Sequence, residues 1–377
     1  MKILKCIVAA AMIAGLSSCK DDEPEILGSD TETVPEAVAS DGGSYAGFYL
    51  LNEGNMGSNK CTLDYYDYAR HTYIRNIYAE RNPEAVLELG DSGNDMAIYG
   101  GRLYIVVTGS HKVEVLDART ARRIGQIDIS SPRRIAFDGR YGYVTSHVGG
   151  DGDKGSLVRF NLETLKTDGS LGVGYCPEGV VEREGKLYVA NSQHYGLGVF
   201  DNTVSVVDAA TWSLDYTIEA EVNLCHLLFD QYGQLWANSK GNYADVTSCL
   251  LCIRKDASGR YGVVQKYDIP VENMVFGKNR IYYYSMTYDA SWNAVAAYGA
   301  VTPSTNPEAM QRTEFTGEHM PQTPYCMAIN PDTQQFYITD AKNYTSSGTL
   351  SSFDKTGKYK WSVTTGDIPG HIAFLKK

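Results

Sequence analysis

Near its start the chain reads Phe48-Tyr49-Leu50-Leu51-Asn52, and close to its last residue it reads Ile372-Ala373-Phe374. Each stretch is half of a pattern that recurs whole between them: a hydrophobic triplet, a turn rich in Gly, Asp or Asn, then an aromatic-centred strand ending in a polar residue. Complete copies pair Met96-Ala97-Ile98 with Leu103-Tyr104-Ile105, and Ile135-Ala136-Phe137 with Tyr143-Val144-Thr145. Gly179-Val180-Val181 precedes Leu187-Tyr188-Val189-Ala190-Asn191, and Leu227-Leu228-Phe229 precedes Leu235-Trp236-Ala237-Asn238. Met274-Val275-Phe276 leads to Ile281-Tyr282-Tyr283, and Met327-Ala328-Ile329 to Phe336-Tyr337-Ile338. The opening fragment is a second half without a first, and the closing fragment is a first half without a second. Together they make a seventh unit.

The aromatic positions 49, 104, 143, 188, 236, 282 and 337 are separated by 55, 39, 45, 48, 46 and 55 residues, room for four short strands in each unit. The segments are short, β-rich and bounded by turns, and lack the 3.6-residue period of a helical solenoid. Third strands align as well, among them Lys112 to Asp117, Leu157 to Phe160, Thr203 to Asp208 and Leu350 to Asp354. The pattern predicts an all-β fold, a seven-bladed β-propeller whose C-terminal strand completes the first blade and so removes the sheet edges that an open array would expose. The kelch, WD-repeat and sialidase Asp-box signatures are absent.

The first 44 residues read differently. Lys2 and Lys5 precede an apolar run from Ile7 to Leu16 that is too short to span a bilayer, so residues 1–18 read as an export signal. Leu16-Ser17-Ser18-Cys19 resembles a lipobox, which makes Cys19 the expected lipid anchor, and Lys20-Asp21-Asp22-Glu23 resembles the acidic signal that sends lipoproteins of Bacteroidota to the outer face of the outer membrane. Residues 19–44 are polar, carry Pro24 and Pro35 and show no period, as expected of a flexible tether. The chain of 377 residues is acidic by 11 charges, but the tether holds eight acids and one Lys, leaving 37 acids and 31 bases in residues 45–377, the expected propeller domain. This balance excludes phosphate-tracking nucleic-acid binders.

In a propeller the loop before each first strand and the loop after each second strand share one face, here called the top. That rule places His111, His147 and His194 in loops after second strands, His226 and His371 at starts of first strands, and His319 in a connection leading to a first strand; only His71 falls at the bottom. The residues just before the triplets, Asp95, Arg134, Glu178, His226, Asn273 and His371, are expected to ring the upper mouth of the central channel, with Cys326 as the exception. Tyr195, Tyr243, Tyr288, Trp292 and Tyr344 stand in the surrounding loops. Tyr and Trp offer large rigid area with a hydrogen-bonding tip, which suits capture of a large ligand. These residues form the candidate ligand site.

Catalytic signals are weak. Cys249-Leu250-Leu251-Cys252 has metal or redox spacing, but in a strand residues three apart point to opposite faces. Asp151-Gly152-Asp153-Lys154-Gly155 opens like a calcium loop, yet its twelfth position is Leu162. The sequence cannot pair the six domain cysteines. No nucleophile elbow, phosphate loop or paired-Cys quinone signature is present, so neither catalytic residues nor a resident metal is expected.

The lipobox with its acidic follower, the opening Phe48 to Asp67 and blades such as Gly185 to Asn191 with Asn202 to Asp208 resemble the YncE-like surface propeller lipoproteins of Bacteroidota. The likeness covers residues 45–377, and it is strongest to the BtuG-type lipoproteins. The resemblance implies capture of a corrinoid, vitamin B12 or a relative, at the cell surface and delivery to an outer-membrane TonB-dependent cobalamin transporter, with the membrane touched only through the lipid anchor. The alternatives are a metal-dependent lactonase-like hydrolase holding its ion with Asp95, Glu178, Asn273 and nearby histidines, and a glycan-binding or adhesion accessory.

Overall fold

Tyr188 fixes the register of its blade by pairing across the sheet with Val181. In the same way Tyr104 pairs with Ala97, Tyr143 with Ala136, Tyr49 with Ala373, Trp236 with Leu228, Tyr282 with Val275 and Tyr337 with Ala328. Every copy of the pattern is therefore the first and second strand of one antiparallel sheet. The structure is a computed structural model that describes residues 29–85, 88–150, 154–194, 198–289, 291 and 293–377. One register differs from the sequence reading. Because Val181 rather than Val180 faces the aromatic, the blade-four triplet is Val180-Val181-Glu182, and Gly179 takes the place that other blades give to Asp95, Arg134 or His226.

The described strands form seven blade sheets, six with four strands and one with five, together with a two-stranded hairpin in the loop after the second strand of blade four. The innermost strands are Pro369–Lys376, Gly93–Tyr99, Pro132–Asp138, Val180–Arg183, Leu224–Phe229, Asn273–Gly277 and Pro324–Ile329. Each packs against the next, and Pro324–Ile329 packs against Pro369–Lys376, which closes the circle. Pro369–Lys376 pairs with Tyr45–Asn52, so the last strand completes the first blade as expected.

Seven hydrophobic clusters fill the seven blade-to-blade interfaces, and the repeated aromatic contributes to each. Tyr49, Tyr104, Tyr143, Tyr188, Trp236 and Tyr337 are 0–3% exposed, while Tyr282 is half-buried. A ring with a polar tip suits this wedge, because the ring fills it and the tip finds a partner. Tyr49 Oη donates to Ala118 O at 2.9 Å, Tyr143 Oη to Asp138 Oδ2 at 2.6 Å, and Trp236 Nε1 to Asp230 Oδ2 at 2.8 Å.

Residues 30–44 are not a free tether. Asp30–Thr33 pairs antiparallel with Thr72–Arg75 as a fifth, outermost strand of blade one. Val34 is buried, and buried Ser40 meets Ser352 Oγ at 3.1 Å and accepts from Trp361 Nε1 at 3.0 Å. The alternation of Thr with acids suits a solvent-facing edge strand, and the added strand covers the edge of Thr72–Arg75. Residues 1–28, with Cys19, lie outside the described residues. Among those described, no helix is long and apolar enough to cross a membrane.

Candidate functional site

The top ends of the innermost strands leave their regular register at Gly93/Asp95, Leu224/Leu227 and Pro324/Met327, and side chains of the second strands satisfy the backbone groups so freed. Thr145 Oγ1 accepts from Arg134 N at 2.9 Å and donates to Glu178 O of the next blade at 2.8 Å. Asn238 repeats the bridge between His226 N and Val271 O, and Thr339 repeats it between Cys326 N and Pro369 O. One buried polar residue thus holds two neighbouring strand ends in register.

The result is two tiers rather than one ring. The lower tier is Asp95, Arg134, Gly179, His226, Asn273, Cys326 and His371, and it lines a channel cavity of about 400 Å³. The residues one step earlier, Asn94, Arg133, Glu178, Cys225, Glu272, Tyr325 and Gly370, line a cavity of about 510 Å³ beneath the top loops. Arg134, His226, Asn273, Gly370 and His371 border both, so the two are continuous. Glu178 belongs to the upper tier, a consequence of the register in blade four.

The charged groups of the floor are paired. Arg133 meets Glu178 with two nitrogens, Nε at 3.1 Å and Nη2 at 3.0 Å from Oε1, and His147 Nε2 lies 3.1 Å from the same oxygen. Burial alone would raise the Glu178 carboxyl, but the Arg133 charge and the His147 hydrogen bond hold it well below the usual carboxylate range. Lys240 Nζ stands 2.5 Å from Glu272 Oε1. Tyr325 Oη donates to Glu53 Oε2 at 2.8 Å, and Glu53 Oε1 lies 3.4 Å from His371 Nε2. Arg134 Nη1 is 2.8 Å from His371 Nε2, and His371 Nδ1 lies 3.6 Å from Asp95 Oδ1. His226 stays neutral, its basicity lowered by burial and by the charges of Arg134 and Lys240, and its Nδ1 has no hydrogen-bond partner among the described residues. Burial pushes the Cys326 thiol up to about 12, so it is no nucleophile at neutral pH.

Above this floor stand Tyr243, Tyr288 and Tyr344, 69%, 65% and 42% exposed, and all three border the upper cavity. Of twelve exposed large hydrophobic side chains among the described residues, seven lie on the top loops or the strand ends beside them, the others of the seven being Met56, Val148, Val199 and Val295. Asn242 Oδ1 accepts from Ala244 N and Val246 N, and Asn343 Oδ1 from Thr345 N and Ser346 N, so an Asx turn shapes each of the loops that carry Tyr243 and Tyr344.

Of the candidate residues, Arg134, Glu178, His226, Tyr243, Asn273, Tyr288, Tyr344 and His371 meet at the upper cavity, and Asp95 lines only the channel below. His147 reaches the site through Glu178. Two candidates do not join it. His111 Nδ1 accepts from Ser131 N at 3.0 Å, capping the neighbouring connection, and His194 packs edge-on to Tyr175 with ring centres 6.0 Å apart. His319, expected on the top face, instead lies with its ring centre 4.4 Å from that of Tyr359, tilted by 41°, beside the bottom turn of blade seven. Tyr195 and Trp292 fall outside the described residues, as do residues 151–153 of the calcium-like turn. Sequence reasoning missed Glu53, Arg133, Lys240, Glu272 and Tyr325; the step before each ring position held the signal for three of them.

No three His, Cys, Asp or Glu side chains gather as a metal-binding group among the described residues. Asp95 is engaged by Met96 N and Ile135 N, each at 2.9 Å, and Glu178 by Arg133 and His147, so the ligand set of the hydrolase alternative is not assembled. Cys249 and Cys252 point into two different interface clusters, and all six domain cysteines are buried and outside any disulfide among the described residues.

Fold and site define a closed seven-bladed β-propeller with a charge-paired, tyrosine-rimmed cavity on its top face. The sequence matches, over residues 46–367, the family described as "Domain of unknown function (DUF5074)", and the chain belongs to that family. A search of curated proteins finds no match. Among solved structures, the chain is similar to a quinoprotein alcohol dehydrogenase-like protein of Bacteroides thetaiotaomicron, with TM-score 0.62 and 16% identity over 88% of this chain and 78% of that one. It is similar also to a putative 6-phosphogluconolactonase of Bacteroides uniformis, with TM-score 0.57 and 14% identity over 88% of this chain and all of that one (100%). Hydrazine synthase of Kuenenia stuttgartiensis gives TM-score 0.56 and 19% identity over 69% and 76% of the two chains. At these identities the likeness is one of fold.

Proposed function

We propose that this chain is a non-enzymatic, lipid-anchored capture protein of the outer-membrane surface, which holds a corrinoid over the upper cavity and passes it to a TonB-dependent transporter. The observation that carries the reading is the pairing of a satisfied polar floor with exposed tyrosines around it. A floor whose carboxylates and cations are already matched offers hydrogen bonds without a free carboxylate or amine, and so is suited to holding a ligand rather than transforming it. Four acids, Glu53, Asp95, Glu178 and Glu272, against Arg133, Arg134 and Lys240 leave little net charge. A corrin ring with amide arms is matched by such a lining, because each amide both donates and accepts while the broad ring lies against tyrosine faces. The lipobox-like Leu16 to Cys19 and the family resemblance of the sequence support the surface location.

Titration calorimetry of the full-length chain in detergent tests the reading. Cyanocobalamin is expected to bind at micromolar concentration or below, and neutral polysaccharide is not. Absence of heat with cyanocobalamin, or binding of polysaccharide instead, overturns it.

A further inference from the structure

On the bottom face, the turns of blades four and five enclose a second cavity of about 270 Å³ bordered by Arg183, Glu184, Tyr232, Arg254, Lys255 and Tyr261. Three cations face one acid there, in a domain where acids outnumber bases 37 to 31. The cations are held in different ways. Arg254 is built into the wall, with Nη2 donating to Ser304 O at 2.5 Å and Nη1 to Thr305 O. Lys255 is 42% exposed in its side chain and pairs with Glu184 Oε2 at 2.6 Å. Arg183 lies 5.0 Å over the ring of Phe229, and its Nε stands 3.5 Å from Glu184 Oε1, so it shares that one carboxylate with Lys255. Gly233, at φ 74°, lets the guanidinium in: a Cβ there would come within 2.9 Å of Nη2. Tyr261 Oη ties down the same turn by donating to Gly233 O at 2.8 Å, and Tyr232 beside it is 53% exposed.

A guanidinium laid over a ring, two further cations that together with it outnumber the one carboxylate, and an exposed aromatic ring make a receptor for an anion on a small polar body. We propose that this bottom-face pocket binds an oxyanion, phosphate or carboxylate, carried by a sugar-sized molecule. The planar fork of Arg183 takes two oxygens and Lys255 supplies a point charge, exchanging part of its contact with Glu184 for the ligand. Tyr232 covers the apolar face of the sugar. The pocket shares no residue with the top-face cavity, so its test and the corrinoid test fail independently.

Calorimetry of the full-length chain with glucose 1-phosphate, glucuronate, inorganic phosphate and glucose decides it. Both sugar acids are expected to bind at roughly millimolar concentration or below and glucose not to bind. Arg183→Gln and Lys255→Gln are each expected to weaken binding about tenfold or more, as loss of a charge-assisted hydrogen bond does, and added salt to weaken it further. Tyr288→Ala, on the opposite face, is expected to leave it unchanged. No heat from either acid, or unchanged affinity in both variants, overturns the site. Inorganic phosphate binding as tightly as glucose 1-phosphate overturns the part given to Tyr232.

Discussion

The blade interfaces and the top-face loops use the same residue for opposite ends. In the second strands Tyr143 and Tyr337 are fully buried, with rings in an interface cluster and hydroxyls satisfied inside the protein. At the top face Tyr243, in a loop, and Tyr288, the last residue of the strand Arg280–Tyr288, are 69% and 65% exposed over a cavity. Burial of an aromatic ring is a stability term, whereas a mostly exposed ring adds much less to the fold until something covers it. Mutation separates the two populations.

The largest effect is expected at an interface. Tyr143→Ala leaves a cavity and removes the hydrogen bond to Asp138 Oδ2, and is expected to cost ~3–5 kcal/mol in denaturant unfolding. Tyr288→Ala is expected to stay within about 0.5 kcal/mol of the parent, while weakening cyanocobalamin about tenfold or more in calorimetry. Equal destabilisation by the two would erase the distinction.

The charged floor stands next. Arg133→Met leaves Glu178 buried with only His147 for a partner, and a loss of about 3 kcal/mol is expected. The sign of its pH dependence follows. The Glu178 carboxyl is held below its ordinary value in the fold, so it contributes stability above the unfolded value of 4.5 that is lost as pH falls toward the folded one. The variant is expected to flatten the acid limb of the stability curve.

The docked segment gives a smaller test. Ser40→Ala strands the buried Trp361 Nε1, at an expected cost of ~1–3 kcal/mol; no change would mean that residues 30–44 contribute nothing to the fold.

His226 gives a slope. Its folded basicity lies well below the usual histidine value of 6.5, so the unfolded chain takes up a proton first. Stability is expected to fall by up to ~1.4 kcal/mol per pH unit below about 6.5, and His226→Asn to remove that slope in thermal melts.

The comparison also explains what was legible in the sequence. The repeat was readable because each interface needs one aromatic at one register, and the half copies at Phe48 and Ile372 showed where the circle closes. Exposed loop tyrosines could be placed on the correct face because topology alone decides it. The tiers were less legible: Glu178 and Gly179 exchange places through a one-residue register step, which a run of small and β-branched residues cannot announce. His111, His194 and His319 shared composition with the true lining residues, but their roles depend on Ser131, Tyr175 and Tyr359, contacts that cross between segments. Asp30 to Thr33 looked like tether because its strand buries no side chain of its own; its partner, Thr72–Arg75, supplies the reason for its order.

The central claim is that ligand capture belongs to the top loops and their floor. Hydrogen exchange of the full-length chain with and without cyanocobalamin tests it most directly. The account predicts protection at residues 242–248, 286–288, 293–296 and 343–347, and none at the bottom turns 183–186 and 230–234. Unchanged exchange throughout, or protection confined to the bottom turns, would contradict it.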